Sequence, residues 1–484
     1  MTDYLVTTAI AYVNGIPHIG HVYEALLASF IKELYNLKTY NVKLLTGTDE
    51  HGKKIQQTAE KHGIDPIDLC DRNSAIFKRI YDQFGIKYDY FIRTTMDKHK
   101  QIVAENLNIA HDNGNIYKST YSGYYDITEE SFITQKDALK NDYINPLSKV
   151  PYIFSEEIVY KLKLIKTINN MCIPTHFGID ERTNNIIDIP ISRNKTNVHW
   201  GITLPFDIDH VTYVWFDALL NYITGCDMLF DTKTSASKYV PKIIHVIGKD
   251  IVWFHTVIYQ SILTYCNILE YMPYKIVIHG HVVDSDGKKM SKSLGNGIQI
   301  ETLLGKYSLT SIKYYLISST IFGEDFKFDE NNLLAEYNIL LHNYGNLFQR
   351  LYKLIMIVQE HFNDYTIEKV GFNDDIEDII TNFLNDYNMI KYKNSIFSYL
   401  KLANTSLTEN KIWENTIGKI NILFDTYLLF HKASYLLYPI IPEDISRIYS
   451  YFNILEITNK IQTVKIDTNK KYIAFNKLFS QLNI

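Results

Sequence analysis

Cysteine is scarce in this chain, and its four cysteines, Cys70, Cys172, Cys226 and Cys266, are scattered without C-x-x-C spacing. This pattern argues against a disulfide scaffold and against a zinc knuckle, which requires closely spaced pairs of cysteine or histidine. No apolar run reaches the length that spans a bilayer. The first residues enter a strand directly, without the features of a signal peptide or an arginine-rich transit segment. We therefore expect a cytoplasmic protein with no membrane partner.

An excess of positive charge is also missing. The formal net charge is −5, the opposite of what a general nucleic-acid coat carries. Hydrophobic residues make up 46% of the chain, enough for a folded core. The 484 residues exceed what one core usually organises, so two or three domains are expected.

The first two thirds of the chain show an alternation of strands and helices. Strand-like runs occur at residues 4–8, 42–45, 243–247 and 275–278, and helical periodicity occurs at 22–37 and 251–263. This order predicts an α/β fold with a doubly wound parallel (Rossmann-like) sheet. A nucleotide is expected at the carboxyl ends of the strands, at the switch point of the sheet.

Two segments depart from this alternation. Residues 115–199 are rich in Tyr, Asn and Lys and are expected to form irregular segments of an inserted subdomain. After residue 328 the chain has apolar periodicity without strands, and helices of a bundle are predicted at 333–357, 376–403 and 417–437. The predicted domains are thus 1–114 and 200–328 (two halves of the Rossmann-like domain), 115–199 (insertion) and 329–484 (all-α bundle).

Two motifs suit a nucleoside triphosphate. His18, Gly20 and His21 lie at a strand-to-helix corner, where backbone N–H groups and imidazoles can bind phosphate and a glycine leaves room for the nucleotide. Far along the chain, Lys289, Ser291, Lys292 and Ser293 lie in a loop bounded by glycines and can neutralise a departing pyrophosphate. Taken singly, the histidines could be satisfied at a helix start and the lysine loop could be a solvated turn.

The chain resembles the class I aminoacyl-tRNA synthetases at these two motifs, which read His18-Ile19-Gly20-His21 and Lys289-Met290-Ser291-Lys292-Ser293. Within that class it is similar to the methionyl-tRNA synthetases in three further segments. These are residues 46–52 (TGTDEHG), 211–222 (VTYVWFDALLNY) and 245–251 (HVIGKDI).

The resemblance implies a methionine–tRNA ligase. Such an enzyme activates L-methionine with ATP and Mg²⁺ to methionyl-adenylate and transfers the methionyl group to tRNA(Met) with a CAU anticodon. A monomer is expected. Catalysis would rest on His18, His21, Lys289 and Lys292, and ATP would also contact Gly20, Ser291, Ser293, Gly248 and Asp250. In the family no protein nucleophile is needed, so catalysis consists of positioning and charge stabilisation.

The resemblance also implies the two recognition sites. An apolar slot suits the thioether of methionine, and Asp49 would hold its ammonium group. The slot would be formed by Ile10, Tyr12, Trp215, Ala218, Leu219, Tyr222 and His255. Leu219 stands where some relatives have proline, and the Tyr222 hydroxyl is expected near the sulfur. The anticodon would be read by Asn346, Arg350 and Trp413.

The insertion departs from the family. Many relatives carry pairs of zinc-binding cysteines there, whereas this chain has Asp126 and Glu129 at the places of a first pair. We therefore predict no structural zinc and no other metal site. The two acids could bind a hard metal ion, but a solvated acidic turn is expected.

Other interpretations remain open at this stage. A catalytically idle tRNA-binding homologue would keep the bundle but lose phosphate ligands, whereas this chain retains both motifs. A small-molecule nucleotidyltransferase would share H-x-G-H but would need neither the bundle nor the slot tryptophan. Each slot aromatic could be an ordinary core residue, and Asn346, Arg350 and Trp413 could be an exposed polar pair and a core tryptophan.

Overall fold

The structure is a computed structural model of the 484-residue chain. It describes residues 2–127, 131–133, 135–146, 148–167, 171–178, 186–230, 239–288, 290, 298–362, 367–368, 375–452 and 463–464. The chain divides into two compact units. The first unit comprises residues 1–17 and 42–278, and the second unit comprises residues 18–41 and 279–484.

A seven-stranded sheet organises the first unit. The strands are, in chain order, Asp3–Thr8, Ala11–Tyr12, Asn41–Asp49, Tyr90–Arg93, Cys172–Ile173, Lys242–Gly248 and Lys275–His279. Asp3–Thr8 runs parallel to Lys242–Gly248, and Asn41–Asp49 runs parallel to Tyr90–Arg93. The strands are buried along almost their whole length, as expected of a parallel sheet that helices cover on both faces. The predicted Rossmann-like α/β fold is confirmed.

The helices of the first unit surround this sheet. One hydrophobic core joins four of these helices to the strands. It contains Leu219, Tyr222, Leu263 and Ile102 of the helices and Leu5 and Leu45 of the strands. The α-helices are Lys53–His62, Pro66–Gln83, Asp97–Asp112, Gln135–Lys140, Val214–Leu219, Asn221–Phe230 and Tyr259–Tyr265. Short 3₁₀ turns occur at Thr175–Gly178, Lys249–Ile251 and Leu269–Tyr271, and Phe254–Ile258 is a π-helical turn.

Two small antiparallel sheets lie in and directly after the insertion, so the expectation of irregular segments there was wrong. One sheet has four strands, Ile116–Asp126, Ser131–Ile133, Ile153–Leu162 and Ile189–Pro190. The other has three, Ser192–Asn194, Thr203–Leu204 and Asp207–Thr212. Tyrosine and threonine favour strands although they are polar, so an exposed face rich in them hides the alternation that marks a strand.

Helices dominate the second unit. They are Ile19–Leu37, Ile300–Lys306, Leu309–Ser318, Glu330–Leu340, Asn346–Phe362, Asp375–Asp386, Met389–Glu409, Ile420–Leu437 and Pro442–Tyr451, with a π turn at Leu341–Gly345 and a 3₁₀ turn at Ile412–Glu414. Val282–Val283 pairs in parallel with Phe326–Lys327. Ile367–Glu368 pairs with Thr463–Val464, so the region beyond residue 328 is not entirely free of strands.

One predicted helix is in fact two. The stretch predicted at 376–403 is interrupted at Tyr387, whose φ of 51° is incompatible with an α-helix. The next helix begins after Asn388, whose side chain accepts a hydrogen bond from the backbone N–H of Lys391 at 3.0 Å. Asn is a favoured N-cap residue, and this cap starts the second helix. Within the ranges described above, every helix is too short or too polar to span a lipid bilayer.

Candidate active site

Two imidazole rings begin the helix Ile19–Leu37. His18 is its N-cap, and Nδ1 of His18 accepts from the backbone N–H of Gly20 at 3.1 Å. Nδ1 of His21 accepts from the backbone N–H of His18 at 3.1 Å, and the two rings stack with centroids 3.8 Å apart. Because each Nδ1 accepts, a neutral ring carries its proton on Nε2, the kind of donor that a phosphate oxygen requires. The structure thus brings together the two predicted phosphate-binding histidines.

Gly20 permits this arrangement. A Cβ atom at position 20 would lie 3.0 Å from Cε1 and 3.1 Å from Nδ1 of His18. A side chain there would push the imidazole away from the helix N-terminus. The predicted role of Gly20 is therefore joined by a second one, which is to let His18 fold back as a cap.

Glu24 lies less than one helical turn beyond His21 and was missed by the sequence analysis. Its Oε2 accepts from Nε2 of His279 at 3.0 Å, and Nδ1 of His279 contacts the carbonyl oxygen of Gly280 at 2.8 Å. The ring of Tyr23 packs edge-on against the same imidazole at 5.3 Å. This contact ties the helix that carries His18 and His21 to the segment that leads into the lysine loop.

The lysine loop is described only at its start. Backbone hydrogen bonds close a turn between Asp284 and Lys288, and the Asp284 carboxylate accepts the N–H of Lys288 at 2.9 Å. Gly287 has a φ of 78°, the left-handed conformation that glycine adopts readily. Lys289, Ser291, Lys292 and Ser293, the predicted ligands of the loop, lie outside the described residues.

In the first unit, predicted ligands follow the ends of parallel strands. Asp49 ends the strand Asn41–Asp49, opposite Tyr12, and is 8% exposed. Gly248 is buried at the end of Lys242–Gly248, and Asp250 is exposed in the turn that follows. Carboxyl ends of parallel strands meet at one edge of a sheet, which is where such folds bind ligands.

Aromatic side chains cluster at the helix Val214–Leu219. Trp215 stacks on Phe254 with ring centroids 3.6 Å apart, and both rings are half-buried. Within the described part of the chain, the indole Nε1 of Trp215 is buried and has no hydrogen-bond partner. Ala218 is buried, Leu219 and Tyr222 belong to the core described above, and Ile10 packs against that core.

Tyr222 and His255 form a buried hydrogen bond whose direction the geometry fixes. Nδ1 of His255 faces the carbonyl oxygen of Ile251 at 2.9 Å, and because that oxygen can only accept, Nδ1 carries the proton. Burial lowers the pKa of His255 to about 4, so the ring is neutral and its Nε2 accepts. The Tyr222 hydroxyl therefore donates to Nε2 at 2.7 Å. A thioether sulfur near Tyr222 would meet the hydroxyl oxygen rather than its proton.

The predicted anticodon residues lie in the second unit. Asn346 is exposed at the start of the helix Asn346–Phe362. One turn further, Nη1 of Arg350 donates to Oδ1 of Asn404 at 3.2 Å, so the guanidinium is oriented by a neighbouring helix. Trp413 lies in the 3₁₀ turn and is 50% exposed, which contradicts the alternative of a core tryptophan.

The family model for class I tRNA synthetases (M) matches residues 4–141 and 181–352, more than half of the chain. The chain belongs to the methionyl-tRNA synthetase family. It is 30% identical over 475 residues to the methionine–tRNA ligase of Thermotoga maritima, and the match covers 92% of this chain and 74% of that protein. It is 38% identical over 372 residues to the methionine–tRNA ligase of Deinococcus radiodurans, covering 73% of this chain and 54% of that longer protein.

Solved structures agree with the family. A Mycobacterium tuberculosis methionyl-tRNA synthetase in complex with methionyl-adenylate superimposes with a TM-score of 0.84 at 27% identity. The superposition covers 99% of this chain and 100% of that one.

The zinc-binding insertion of many methionyl-tRNA synthetases has a different chemistry here. Asp126 is buried, not part of a solvated acidic turn as expected, and its carboxylate accepts from the amide of Asn145. Glu129 lies outside the described residues. Among those that are described, no three His, Cys, Asp or Glu side chains form a metal-binding group. Asp126 is thus engaged by Asn145, and the absence of a structural zinc stays a prediction.

Glu50 is a buried residue of the family motif to which the sequence analysis gave no role. It is fully buried, and its carboxylate accepts from Nε of Arg93 at 2.7 Å and from the hydroxyls of Thr48 and Ser74 at 2.7 and 2.5 Å. A carboxylate with several donors is rigidly held. The sequence cue that could have indicated this role is a charged residue directly after a buried strand.

Proposed function

We propose that this chain is a methionine–tRNA ligase that forms methionyl-adenylate from L-methionine and ATP and then transfers the methionyl group to tRNA(Met). In the first step the methionine carboxylate attacks the α-phosphorus of ATP in line, and magnesium pyrophosphate leaves. In the second, the 3′-terminal hydroxyl of the tRNA attacks the acyl carbon and AMP leaves. The proposed setting is the cytoplasm, with the protein as a monomer.

The observation that carries the proposal is the stacked pair His18 and His21. Both rings use Nδ1 as a backbone acceptor, so a neutral ring carries its proton on Nε2. Preorganised donors of this kind stabilise charge on phosphate in the transition state. In the proposal Lys289 and Lys292 neutralise the leaving pyrophosphate, Ser291 and Ser293 add donors, and Gly20 admits the nucleotide to the backbone.

Methionine and ribose are assigned to the first unit. Asp49 holds the α-ammonium of methionine, because a carboxylate at a strand end has a cationic partner in this substrate. The side chain lies among Ile10, Tyr12, Trp215, Ala218, Leu219, Tyr222 and His255. Gly248 and Asp250 bind the ribose hydroxyls. The neutral state of His255 supports this assignment, because an apolar thioether would not tolerate a charged neighbour without a counter-ion.

The tRNA is assigned to the second unit. Its CAU anticodon would be read by hydrogen bonds from Asn346 and Arg350 and by stacking on Trp413. The half-exposed indole supports stacking, since an unpaired base needs an accessible aromatic face.

Methionine-dependent exchange of pyrophosphate into ATP tests the proposal. The sharpest variant is His18→Asn, because the amide oxygen of asparagine can take over the cap made by Nδ1 but supplies no donor at the place of Nε2. We expect exchange to fall roughly a hundredfold with little change in melting temperature. His62→Asn, an exposed histidine in the last turn of Lys53–His62, is the matched control and should exchange like the wild type.

Two outcomes would overturn the proposal. Exchange that proceeds without methionine would indicate a small-molecule nucleotidyltransferase. Tight tRNA binding with no exchange at all would indicate a catalytically idle homologue.

A further inference from the structure

A fully buried carboxylate links three helices and a strand end in the first unit. Asp217 and His99 are completely buried, and His51 is 4% exposed. Oδ2 of Asp217 accepts from Nδ1 of His51 at 2.6 Å, and Oδ1 accepts from Nε2 of His99 at 2.7 Å. The other nitrogen of His99 contacts the hydroxyl of Thr224 at 2.9 Å.

We call Asp217, His51 and His99 the triad. Their hydrogen bonds determine which ring nitrogens carry protons. A carboxylate only accepts, so Nδ1 of His51 and Nε2 of His99 both carry protons. Burial opposes ionisation of Asp217, but the two histidines outweigh it and lower the pKa of that carboxyl to about 2. Asp217 is therefore ionised at neutral pH. A buried charge that lost one of its partners would be strongly destabilised, so the contacts are kept.

The triad joins two parts of the proposed methionine site. His51 lies two residues beyond Asp49, which is assigned to the ammonium group. Asp217 lies in the helix Val214–Leu219, between Trp215 and Ala218 of the slot. His99, in contrast, lies on the helix Asp97–Asp112, which supplies none of the slot residues and serves as a support.

The strand end is also held on its other side. Between Asp49 and His51, the buried carboxylate of Glu50 is fixed by Arg93 and by the hydroxyl of Ser74. The indole N–H of Trp200 donates to the carbonyl oxygen of Glu50 at 2.5 Å. Because these contacts hold Glu50 in place, the loss of a contact at Asp217 would change the distance between Asp49 and the helix Val214–Leu219.

We propose that Asp217, through His51 and His99, is a positioning residue that sets the spacing between the ammonium-binding carboxylate and the thioether slot. The inference rests on the proposed function, because it needs methionine as the ligand of both parts. Methionine contacts both ends of this spacing at once, so its affinity depends on the triad. The affinity of a ligand that does not contact Asp49 should not depend on this spacing.

The test compares donor-deleting with donor-keeping variants. His51→Leu and His99→Leu remove the hydrogen bonds to Asp217. His51→Asn keeps a donor at the place of Nδ1, and His99→Gln keeps one at the place of Nε2. We expect the leucine variants to raise the methionine KM in pyrophosphate exchange at least about tenfold, with the ATP KM within about twofold of wild type. The amide variants should restore most of the methionine KM.

A second ligand distinguishes a loss of positioning from a general disruption of the methionine site. 4-(Methylthio)butanoate is methionine without its α-ammonium group, and its inhibition constant against methionine should change less than about twofold in every variant. His210→Gln, another buried histidine of the same unit that hydrogen-bonds Ser192, is the matched control and should leave both constants unchanged.

The outcomes distinguish this inference from the proposed function. If the wild-type protein shows no methionine-dependent exchange, the proposed function is wrong. If the wild type exchanges but folded leucine variants keep their methionine KM, or lose both ligands equally, the positioning role is wrong. Should the leucine variants not fold, Asp217→Asn takes their place, and a raised methionine KM with an unchanged inhibition constant would support the role. An Asp217→Asn protein that keeps the wild-type methionine KM, or raises both constants in parallel, would overturn it.

Discussion

The hydroxyl of Tyr222 donates to Nε2 of His255 at 2.7 Å, while Nδ1 of the same ring donates to the carbonyl of Ile251 at 2.9 Å. In this arrangement the imidazole is neutral, because Nε2 accepts from the hydroxyl only when it carries no proton. Burial keeps the ring in that state, with its pKa at about 4. The two residues thus form one unit whose hydrogen bonds do not change over the physiological pH range.

His255 should make folding stability depend on acid pH. Its pKa is about 4 in the folded protein and about 6.5 when unfolded, so between these values the unfolded chain binds more protons. Stability is therefore fully present above pH 6.5 and is lost as the pH falls toward 4, by on the order of 3 kcal/mol. In His255→Gln this contribution should vanish. Urea unfolding of both proteins at pH 7 and pH 5 measures it, and parallel pH profiles would contradict the assignment.

Lys292→Ala should slow adenylate formation far more than it weakens methionine binding. Removing one preorganised donor that stabilises developing charge costs about 3 kcal/mol in the transition state, roughly a hundredfold in rate. Pre-steady-state pyrophosphate exchange at saturating substrates measures the effect. A mutant rate within about threefold of wild type would show that this lysine does not act on the leaving group.

The purified protein should contain no stoichiometric zinc. The buried Asp126 is hydrogen-bonded to Asn145, at a place where many relatives carry cysteine ligands. We expect activity to persist after chelation of transition metals once magnesium is restored, because a protein without a structural zinc has no folding energy tied to one. Elemental analysis decides the question, and about one zinc per chain would refute the prediction.

Trp413→Ala should separate the two half-reactions. The side chain is 50% exposed, so its truncation should open no core cavity and change the melting temperature little. Methionine-dependent exchange should stay near wild type, whereas kcat/KM for tRNA should fall by the equivalent of about 1–3 kcal/mol or more, since a stacking platform is lost. The variant should also discriminate poorly against altered anticodons. Parallel losses in both reactions would contradict an anticodon role.

Local sequence patterns predicted several strands of the sheet, the helix near residue 22 and the family correctly. The strand runs at 4–8, 243–247 and 275–278 correspond to observed strands of the sheet, because buried parallel strands are continuously apolar and easy to recognise. The helix predicted from residue 22 begins at Ile19, since His18 acts as a cap, a role that the sequence analysis did not assign. The family assignment, which rested on two short motifs and three longer segments, is confirmed.

Long-range polar contacts could not be predicted in the same way. Asp217 lies 166 residues from His51 and 118 from His99, and nothing near any of them in sequence signals the triad. Glu24 and His279 are 255 residues apart. The break at Tyr387 was missed for a related reason, because apolar periodicity continues across it and only the backbone conformation reveals it. The domain boundaries and the assigned site residues remain predictions.

The distribution of the cysteines has a practical consequence for studies of unfolding. All four are buried in the first unit, where burial raises the pKa of Cys172 to about 11 and that of Cys266 to about 12, and raises those of Cys70 and Cys226 further. Thiol reagents react with the thiolate, so the native thiols should be inert until that unit opens. The second unit contains no cysteine. The rate of thiol labelling in native buffer should therefore report the opening of the first unit alone. One cysteine introduced on a buried helix face of the second unit would allow the opening rate of that unit to be measured in the same way.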